Sequence, residues 1–124
     1  MRSYTELRQL RFLYLEDSYV LDVVAEPGTL ILKVDLVFTE DHPEYRPPEP
    51  GDRYSYTRGE LKFSGVSRLT WSGQGAQPAV DASGERDYGC VDSLEFEGSR
   101  YRIEGDFGII DLEAELVMIQ MSKH

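Results

Sequence analysis

The residues best suited to chemistry in this sequence are the neighbours Asp41 and His42. Histidine acts as a general base or a metal ligand near neutral pH, and an adjacent carboxylate can orient its ring. The sequence has only two further residues with the nitrogen or sulfur ligands that zinc usually takes, namely His124 and the single cysteine, Cys90. Because zinc sites usually need three or four nitrogen or sulfur ligands, a His-rich or Cys-rich zinc site is excluded. A mixed site of His42 with carboxylates stays open, but His42 as an ordinary loop residue is favoured, and no metal or cofactor is predicted.

No residue set for catalysis is assembled in the sequence. A nucleophilic triad would need Ser or Cys beside His42, no G-x-S-x-G occurs, and Cys90 is predicted to be a small buried residue. Pairs of carboxylates are too plentiful among 23 acidic residues to indicate a glycosidase. Gly105–Gly108 contains the DFG letters of protein kinases without their other motifs, so it predicts a turn. The pattern favours a non-enzymatic protein.

The segment 39–58, TEDHPEYRPPEPGDRYSYTR, predicts a long proline-rich loop. It contains four of the six prolines, which cannot continue a sheet ladder. Long loops in small domains are often functional, although a packed crossover between two sheets is the other interpretation. A small-ligand or carbohydrate-binding site, or a hydrolase site, would lie here. Its residues would be Asp41, His42, Tyr45, Tyr54 and Tyr56, with the tyrosines as stacking surfaces and Asp41 orienting His42.

The formal net charge of −10 argues against a nucleic-acid partner, because phosphate binding needs clustered Lys and Arg. The acidic bias is strongest in 81–115, which contains 11 acidic and three basic residues. Such an excess is either a solubilising surface or an electrostatic face for a basic protein partner. In the second case we predict that Asp111, Glu113 and Glu115 contact the partner.

The element that organises the chain is a hairpin over Tyr19–Phe38. Apolar residues occupy every even position of its second arm, and this period of two residues is typical of a half-buried strand. Pro27-Gly28 suits the turn between the two arms. A loop centred there pairs residues whose numbers sum to 55. The predicted pairs are Val23 with Leu32, Leu21 with Val34, Tyr19 with Leu36 and Asp22 with Lys33.

Further strands follow from the same alternation. A strand is predicted from about Leu10 to Leu15, another over Glu60–Trp71 with a bulge at Gly65, and a long last strand from about Gly108 to Met121. Glu97–Arg100 suits a two-residue hairpin turn that pairs residues whose numbers sum to 197. The count is about seven strands with no helix longer than two turns. This predicts an all-β fold, an antiparallel β-sandwich or open barrel with the long proline-rich loop.

The length of 124 residues predicts a single domain, 1–124. No apolar run approaches the ~20 residues of a membrane helix, and the N-terminus lacks the features of a signal peptide. We therefore expect a cytoplasmic protein with no membrane partner. An uncovered strand edge would also allow a homo-oligomer.

The succession LYLEDSYVLDV, LVFTEDHPEYRPPEPGDRYSY, RDYGCVDS and YRIEGDFGIIDL resembles a family of small uncharacterised bacterial all-β proteins. The closing segment is also similar to immunity-type proteins that neutralise toxins. The resemblance implies a cytoplasmic single domain without an assigned catalytic motif and carries over no site residues. The function expected first is therefore that of an acidic, non-enzymatic binding or accessory domain, immunity-like in its form, that recognises a protein partner. A ligand-binding domain or hydrolase with its site at 39–58 is the alternative.

Overall fold

Two antiparallel sheets form the protein in a computed structural model, which describes residues 1–52, 54–73, 79–80, 86–87 and 89–121. The strands in chain order are β1 (Arg2–Ser3), β2 (Tyr19–Glu26), β3 (Thr29–Val37), β4 (Tyr56–Ser64), β5 (Arg68–Ser72), β6 (Ala79–Val80), β7 (Arg86–Asp87), β8 (Val91–Glu97), β9 (Arg100–Gly105), β10 (Gly108–Glu113) and β11 (Leu116–Met121).

The larger sheet has the order β1-β8-β9-β10-β5 and the smaller sheet the order β11-β4-β3-β2, while β6 and β7 pair as a separate short ribbon. The predicted all-β antiparallel sandwich is therefore confirmed. Its two sheets contain nine strands among the described residues, against about seven predicted, and they do not close into a barrel.

The β2–β3 hairpin forms as predicted near its turn and differs further away. Asp22 pairs with Lys33, and Val23 pairs with Leu32. A bulge at Leu21 then shifts the register by one residue, so Tyr19 pairs with Asp35 instead of Leu36. A bulge inserts an unpaired residue and increases strand twist, and it is common on edge strands such as β2.

The β8–β9 hairpin confirms the second predicted register. Phe96 lies opposite Tyr101, and the predicted cross-strand neighbours Glu97 with Arg100 and Glu95 with Arg102 are opposite each other in the register. The predicted turn at 105–108 is confirmed by the pairing of its first and last glycines at the start of β10.

The predicted long last strand is wrong because the chain changes sheets in its middle. The backbone N–H of Ala114 donates to Ser99 in the larger sheet, and the next N–H, from Glu115, donates to Ser64 in the smaller sheet. The crossing reverses which residues face inward. Val117 is fully buried, whereas Met118 is 44% exposed.

The predicted strand over 60–71 divides in the same way. Leu61 and Phe63 are buried in β4, and Leu69 and Trp71 are half-buried in β5 of the other sheet. Gly65, predicted as a bulge, lies at this crossing with a φ of 64°. Both crossings change the sheet. The buried residues stay at odd positions across Gly65, whereas they change from even to odd positions at the second crossing. The apolar alternation of the sequence continues through both crossings and therefore predicted continuous strands.

The predicted strand from Leu10 to Leu15 is also wrong. The segment consists of turns, with a 3-10 helix over Leu15–Asp17, and its backbone meets the end of β3 only locally. Tyr14 donates its N–H to the carbonyl of Val37 at 2.8 Å. Leu10, Leu13 and Leu15 are buried in the core. The segment's aromatic residues Phe12 and Tyr14 are instead half-buried and exposed, so the burial does not follow the alternation of a strand.

The core lies between the inner faces of the two sheets. Phe63 from β4 and Tyr101 from β9 meet edge to face with their ring centres 5.1 Å apart. Each large apolar side chain buried in this way contributes about 1.5–3 kcal/mol. The packed sheets therefore provide a rigid base for the residues at their ends.

Candidate functional site

His42 lies against the core and lines neither of the two cavities beside the loop that are described below. Its ring stacks on Phe38 at 3.9 Å between centres and 10° between planes. Its Nδ1 accepts the backbone N–H of Glu44 at 3.0 Å, so the neutral ring carries its proton on Nε2. Burial lowers the pKa of His42, and the nearby charge of Glu44 opposes this effect. This histidine shapes the loop as a neutral, packed ring.

Asp41, the predicted partner of His42, is exposed, and Nδ1 of the histidine is already engaged by backbone. Tyr45 is half-buried and packs against the core. The backbone of 39–45 forms two consecutive turns, since His42 donates to Thr39 and Tyr45 donates to His42. The long loop ends earlier than predicted, because Tyr56 already belongs to β4.

Four tyrosines form a continuous row that we call the tyrosine surface, consisting of Tyr14, Tyr54, Tyr56 and Tyr19. Successive ring centres are 6.1, 6.3 and 5.7 Å apart. Tyr14, Tyr19 and Tyr56 are 42%, 39% and 44% exposed. Aromatic rings at these separations interact favourably with one another. The two predicted tyrosines, Tyr54 and Tyr56, are therefore joined by Tyr14 and Tyr19, which precede their ring partners by 40 and 37 residues in the chain.

Buried polar contacts fix the backbone beneath the tyrosine surface. The Ser18 hydroxyl donates to the carbonyl of Tyr14 at 2.7 Å and accepts the N–H of Val37 at 2.9 Å. Tyr54 donates its hydroxyl to Asp17 Oδ2 at 2.5 Å, which ties the proline-rich loop to the turn before β2. Hydrogen bonds within the protein therefore fix the backbone that carries the rings.

A cleft of about 380 Å³ opens beside this row. Tyr14 and Tyr54 line one part of it, and Phe38, Tyr45 and Pro48 line another. Cavities of a few hundred Å³ with mostly apolar walls accept one or two side chains or a small ligand.

A second groove, of about 730 Å³, lies on the other side of Tyr45. We call it the Tyr56 groove. Tyr45 and Tyr56 line it together with an ion pair between Arg58 and Asp35. The guanidinium donates through Nε to Oδ1 at 3.0 Å and through Nη2 to Oδ2 at 3.4 Å. These two residues pair across β3 and β4, so the sheet sets their geometry.

The hydroxyl of Tyr56 is shifted away from ionisation. Burial and neighbouring groups raise the pKa of Tyr56 to about 12. Burial is the largest cause, followed by the charge and hydrogen bond of Tyr19, and Cys90 and Asp17 contribute further through their charges. The phenol stays protonated at any physiological pH and can donate and accept a hydrogen bond.

The exposed acids of the proline-rich loop surround this region. Segment 39–52 contains five carboxylates and one basic residue, Arg46, and all six are exposed. The carboxylates are Glu40, Asp41, Glu44, Glu49 and Asp52.

Asp111 and Glu113, predicted to contact a basic partner, lie among arginines. Asp111 pairs across strands with Arg102, with 3.9 Å between Nε and Oδ1, and Glu113 lies between Arg100 and Arg68. The third predicted residue, Glu115, lies apart at the crossing between sheets. Residues 81–85 and 88, which carry part of the predicted acidic excess, lie outside the described residues. The outer face of β9 and β10 therefore carries charges of both signs.

Among the described residues, no group of three or more His, Cys, Asp or Glu side chains is placed to hold a metal ion. Cys90, predicted to be buried, is half-buried and its backbone meets Tyr19.

Sequence reasoning missed Tyr14, Tyr19, Asp35 and Arg58. A usable signal existed for the last pair, because opposite charges on strands joined in register commonly face each other. No local signal placed Tyr14 or Tyr19 beside the loop, since their proximity depends on how the coil before β2 folds back on β3.

No family model, curated protein or solved structure matches the chain. The resemblance to small bacterial all-β proteins and to immunity-type proteins therefore stays a prediction. Among the described residues, no helix has the length and apolar character needed to cross a membrane.

Proposed function

We propose that this chain is a non-enzymatic, acidic binding domain that recognises a basic protein in the cytoplasm through its tyrosine surface. The observation that carries the proposal is the row of four tyrosine rings, three of them about two-fifths exposed, on a prearranged backbone.

Tyrosine is enriched at protein interfaces because it buries a large apolar face and keeps a polar end. Residues of this type supply most of the binding free energy in many complexes, especially beside a pocket on the partner surface. The cleft between Tyr14 and Phe38 offers such a pocket for an apolar side chain of the partner. The hydrogen bonds of Ser18 and Tyr54 reduce the entropy lost on binding.

Charge indicates the kind of partner. The five exposed carboxylates of 39–52 form an acidic rim beside the aromatic rings, and the whole chain carries a net charge of −10. Such a rim attracts a basic protein and raises its association rate. We assign the attraction of the basic partner to this rim and no longer to Asp111 and Glu113, because neighbouring arginines offset the charge of those two carboxylates.

An immunity-like factor that blocks a basic toxin is one form of this function, suggested by the resemblance of the closing segment. Self-association is a further form, in which a second copy is the partner. Light scattering of the purified domain separates this form from binding to a different protein.

The test begins with capture from an extract of the source organism by the wild-type domain and by two variants. The Tyr14→Ala variant removes a ring of the tyrosine surface, and Glu113→Lys reverses a charge on β10, outside that surface. A specific partner is retained by the wild type and by Glu113→Lys but lost from Tyr14→Ala. We expect Tyr14→Ala to weaken binding of the purified partner about tenfold or more, or ~1.4 kcal/mol.

The acidic rim is tested separately with the double variant Glu40→Lys, Asp41→Lys. It should slow association with the same partner and flatten the salt dependence of the rate, while dissociation changes little. A partner that binds Tyr14→Ala as tightly as the wild type, or that is lost from Glu113→Lys instead, would refute the proposed surface.

A further inference from the structure

We infer that the Tyr56 groove is a second binding site, one that takes a neutral carbohydrate. This inference does not depend on the proposed protein partner. It rests on the walls of the groove, which combine aromatic rings, a paired acid and base, and balanced charge.

The aromatic wall consists of Tyr56 and Tyr45. Tyr56 is 44% exposed, and its orientation is constrained by Tyr19, whose ring centre lies 5.7 Å away. A pyranose presents an apolar face of C–H groups. When this face packs on an aromatic ring, the sugar face and the ring face are both removed from water. An exposed ring held on a strand is a suitable platform for this contact.

The polar wall is the ion pair of Asp35 and Arg58. A carboxylate only accepts hydrogen bonds and a guanidinium only donates them. A sugar hydroxyl does both, so adjacent hydroxyls match a fixed acid–base pair better than groups of one polarity. Asp35 and Arg58 are held at 3.0 Å by the cross-strand register, and the side chain of Arg58 remains 53% exposed.

The charge balance of the groove favours an uncharged ligand. Asp35 and Glu44 face Arg58 and Arg46 along its walls. A phosphorylated ligand would meet two carboxylates, and a cation would meet two guanidiniums. The volume of about 730 Å³ lies within the usual range of small-molecule sites.

The site differs from the one predicted at 39–58. It keeps Tyr45 and Tyr56, but Asp41 and His42 do not line it, and Tyr54 lines the neighbouring cleft instead.

The experiment is a two-dimensional amide NMR titration of the isotope-labelled chain. The probes are maltotriose, cellotriose, xylotriose and triacetylchitotriose at millimolar concentration, with adenosine and the peptide Gly-Ser-Gly as probes that are not oligosaccharides. We expect one trisaccharide to shift the amide signals of residues 44–46 and 55–58 in a saturable way. The variants Tyr56→Ala and Asp35→Asn should each weaken that titration tenfold or more, whereas Tyr56→Phe should keep most of it.

Tyr14→Ala is the matched control, because Tyr14 belongs to the tyrosine surface but does not line the Tyr56 groove. It should leave sugar binding unchanged even though it weakens the protein partner, so the two proposals can fail separately. The inference is overturned if no trisaccharide shifts these amides, if Tyr56→Ala binds as the wild type does, or if only adenosine or the peptide binds there.

Discussion

Ser18 connects the coil that carries Tyr14 to the end of β3, and replacing it tests how the tyrosine surface is held. Its hydroxyl donates to the carbonyl of Tyr14 at 2.7 Å and accepts the N–H of Val37 at 2.9 Å. Ser18 is fully buried and Val37 is 3% exposed, so water does not replace the hydroxyl. Ser18→Ala therefore removes two buried hydrogen bonds at once.

The expected destabilisation follows from these two contacts. An unsatisfied buried N–H at Val37 costs about 1–3 kcal/mol, and the lost bond to Tyr14 adds about 1 kcal/mol. The sum is about 2–4 kcal/mol of a total unfolding free energy of roughly 5–15 kcal/mol. With a urea dependence of about 2 kcal/mol per molar, the middle of the usual range, the unfolding midpoint should fall by about 1–2 M.

Urea unfolding can be followed by the fluorescence of Trp71, the single tryptophan, and by circular dichroism. The control is Ser67→Ala, which removes the hydroxyl of an exposed residue and should change stability by less than about 0.5 kcal/mol. If the midpoint of Ser18→Ala coincides with that of Ser67→Ala, the reasoning about the bridging hydroxyl is refuted.

Four further outcomes are expected. Gly108→Ala should destabilise the domain by about 2 kcal/mol more than Gly98→Ala in urea unfolding. Both glycines have a positive φ, but of the two only Gly108 lies where an added Cβ would clash with backbone, at the carbonyl oxygen of Ser72. Thr39→Val should raise the urea midpoint, since it removes a buried hydroxyl that has no partner among the described residues; a lowered midpoint would contradict this. The lowered pKa of His42 means that the unfolded state binds more protons as pH falls through about 6.5, so stability should fall with pH there. The variant His42→Gln should lose that part of the slope in denaturation measured from about pH 5 to 7.5, and an unchanged slope would exclude the effect. Asp111→Asn should change the unfolding free energy by less than about 1 kcal/mol, because that side chain is 51% exposed; a larger loss would show that the ion pair matters more than its exposure suggests.

Local patterns predicted the hairpins well because turn chemistry and side-chain period are both encoded within a few residues. The β8–β9 register is correct in every predicted pair, and the β2–β3 register is correct until the bulge at Leu21. The two sheet crossings were missed because the apolar alternation of the sequence continues past Gly65 and Ala114, although the buried positions change from even to odd at the second crossing. Which sheet a strand joins depends on partners far away in the chain, and alternation does not report it.

The candidate site was predicted in part for the same reason. The loop and its tyrosines are visible in composition, so Tyr45, Tyr54 and Tyr56 were found. The interpretation of His42 as a possible ligand-binding group depended on its neighbour in sequence, whereas the structure places its ring on Phe38. Asp35 and Arg58 are 23 residues apart and meet only through strand register.

The pairing of β4 with β11 has a consequence for how the protein is made. β4 ends at Ser64, yet its second neighbour spans Leu116–Met121. At a synthesis rate of about 5–20 residues per second, the ribosome delivers that neighbour roughly 3–10 seconds after β4. During this interval β4 is the open edge of a three-stranded nascent sheet. Glu60 and Lys62 lie on this open strand, and charged residues there disfavour pairing with a strand of a second nascent chain. They therefore oppose aggregation until β11 is synthesised.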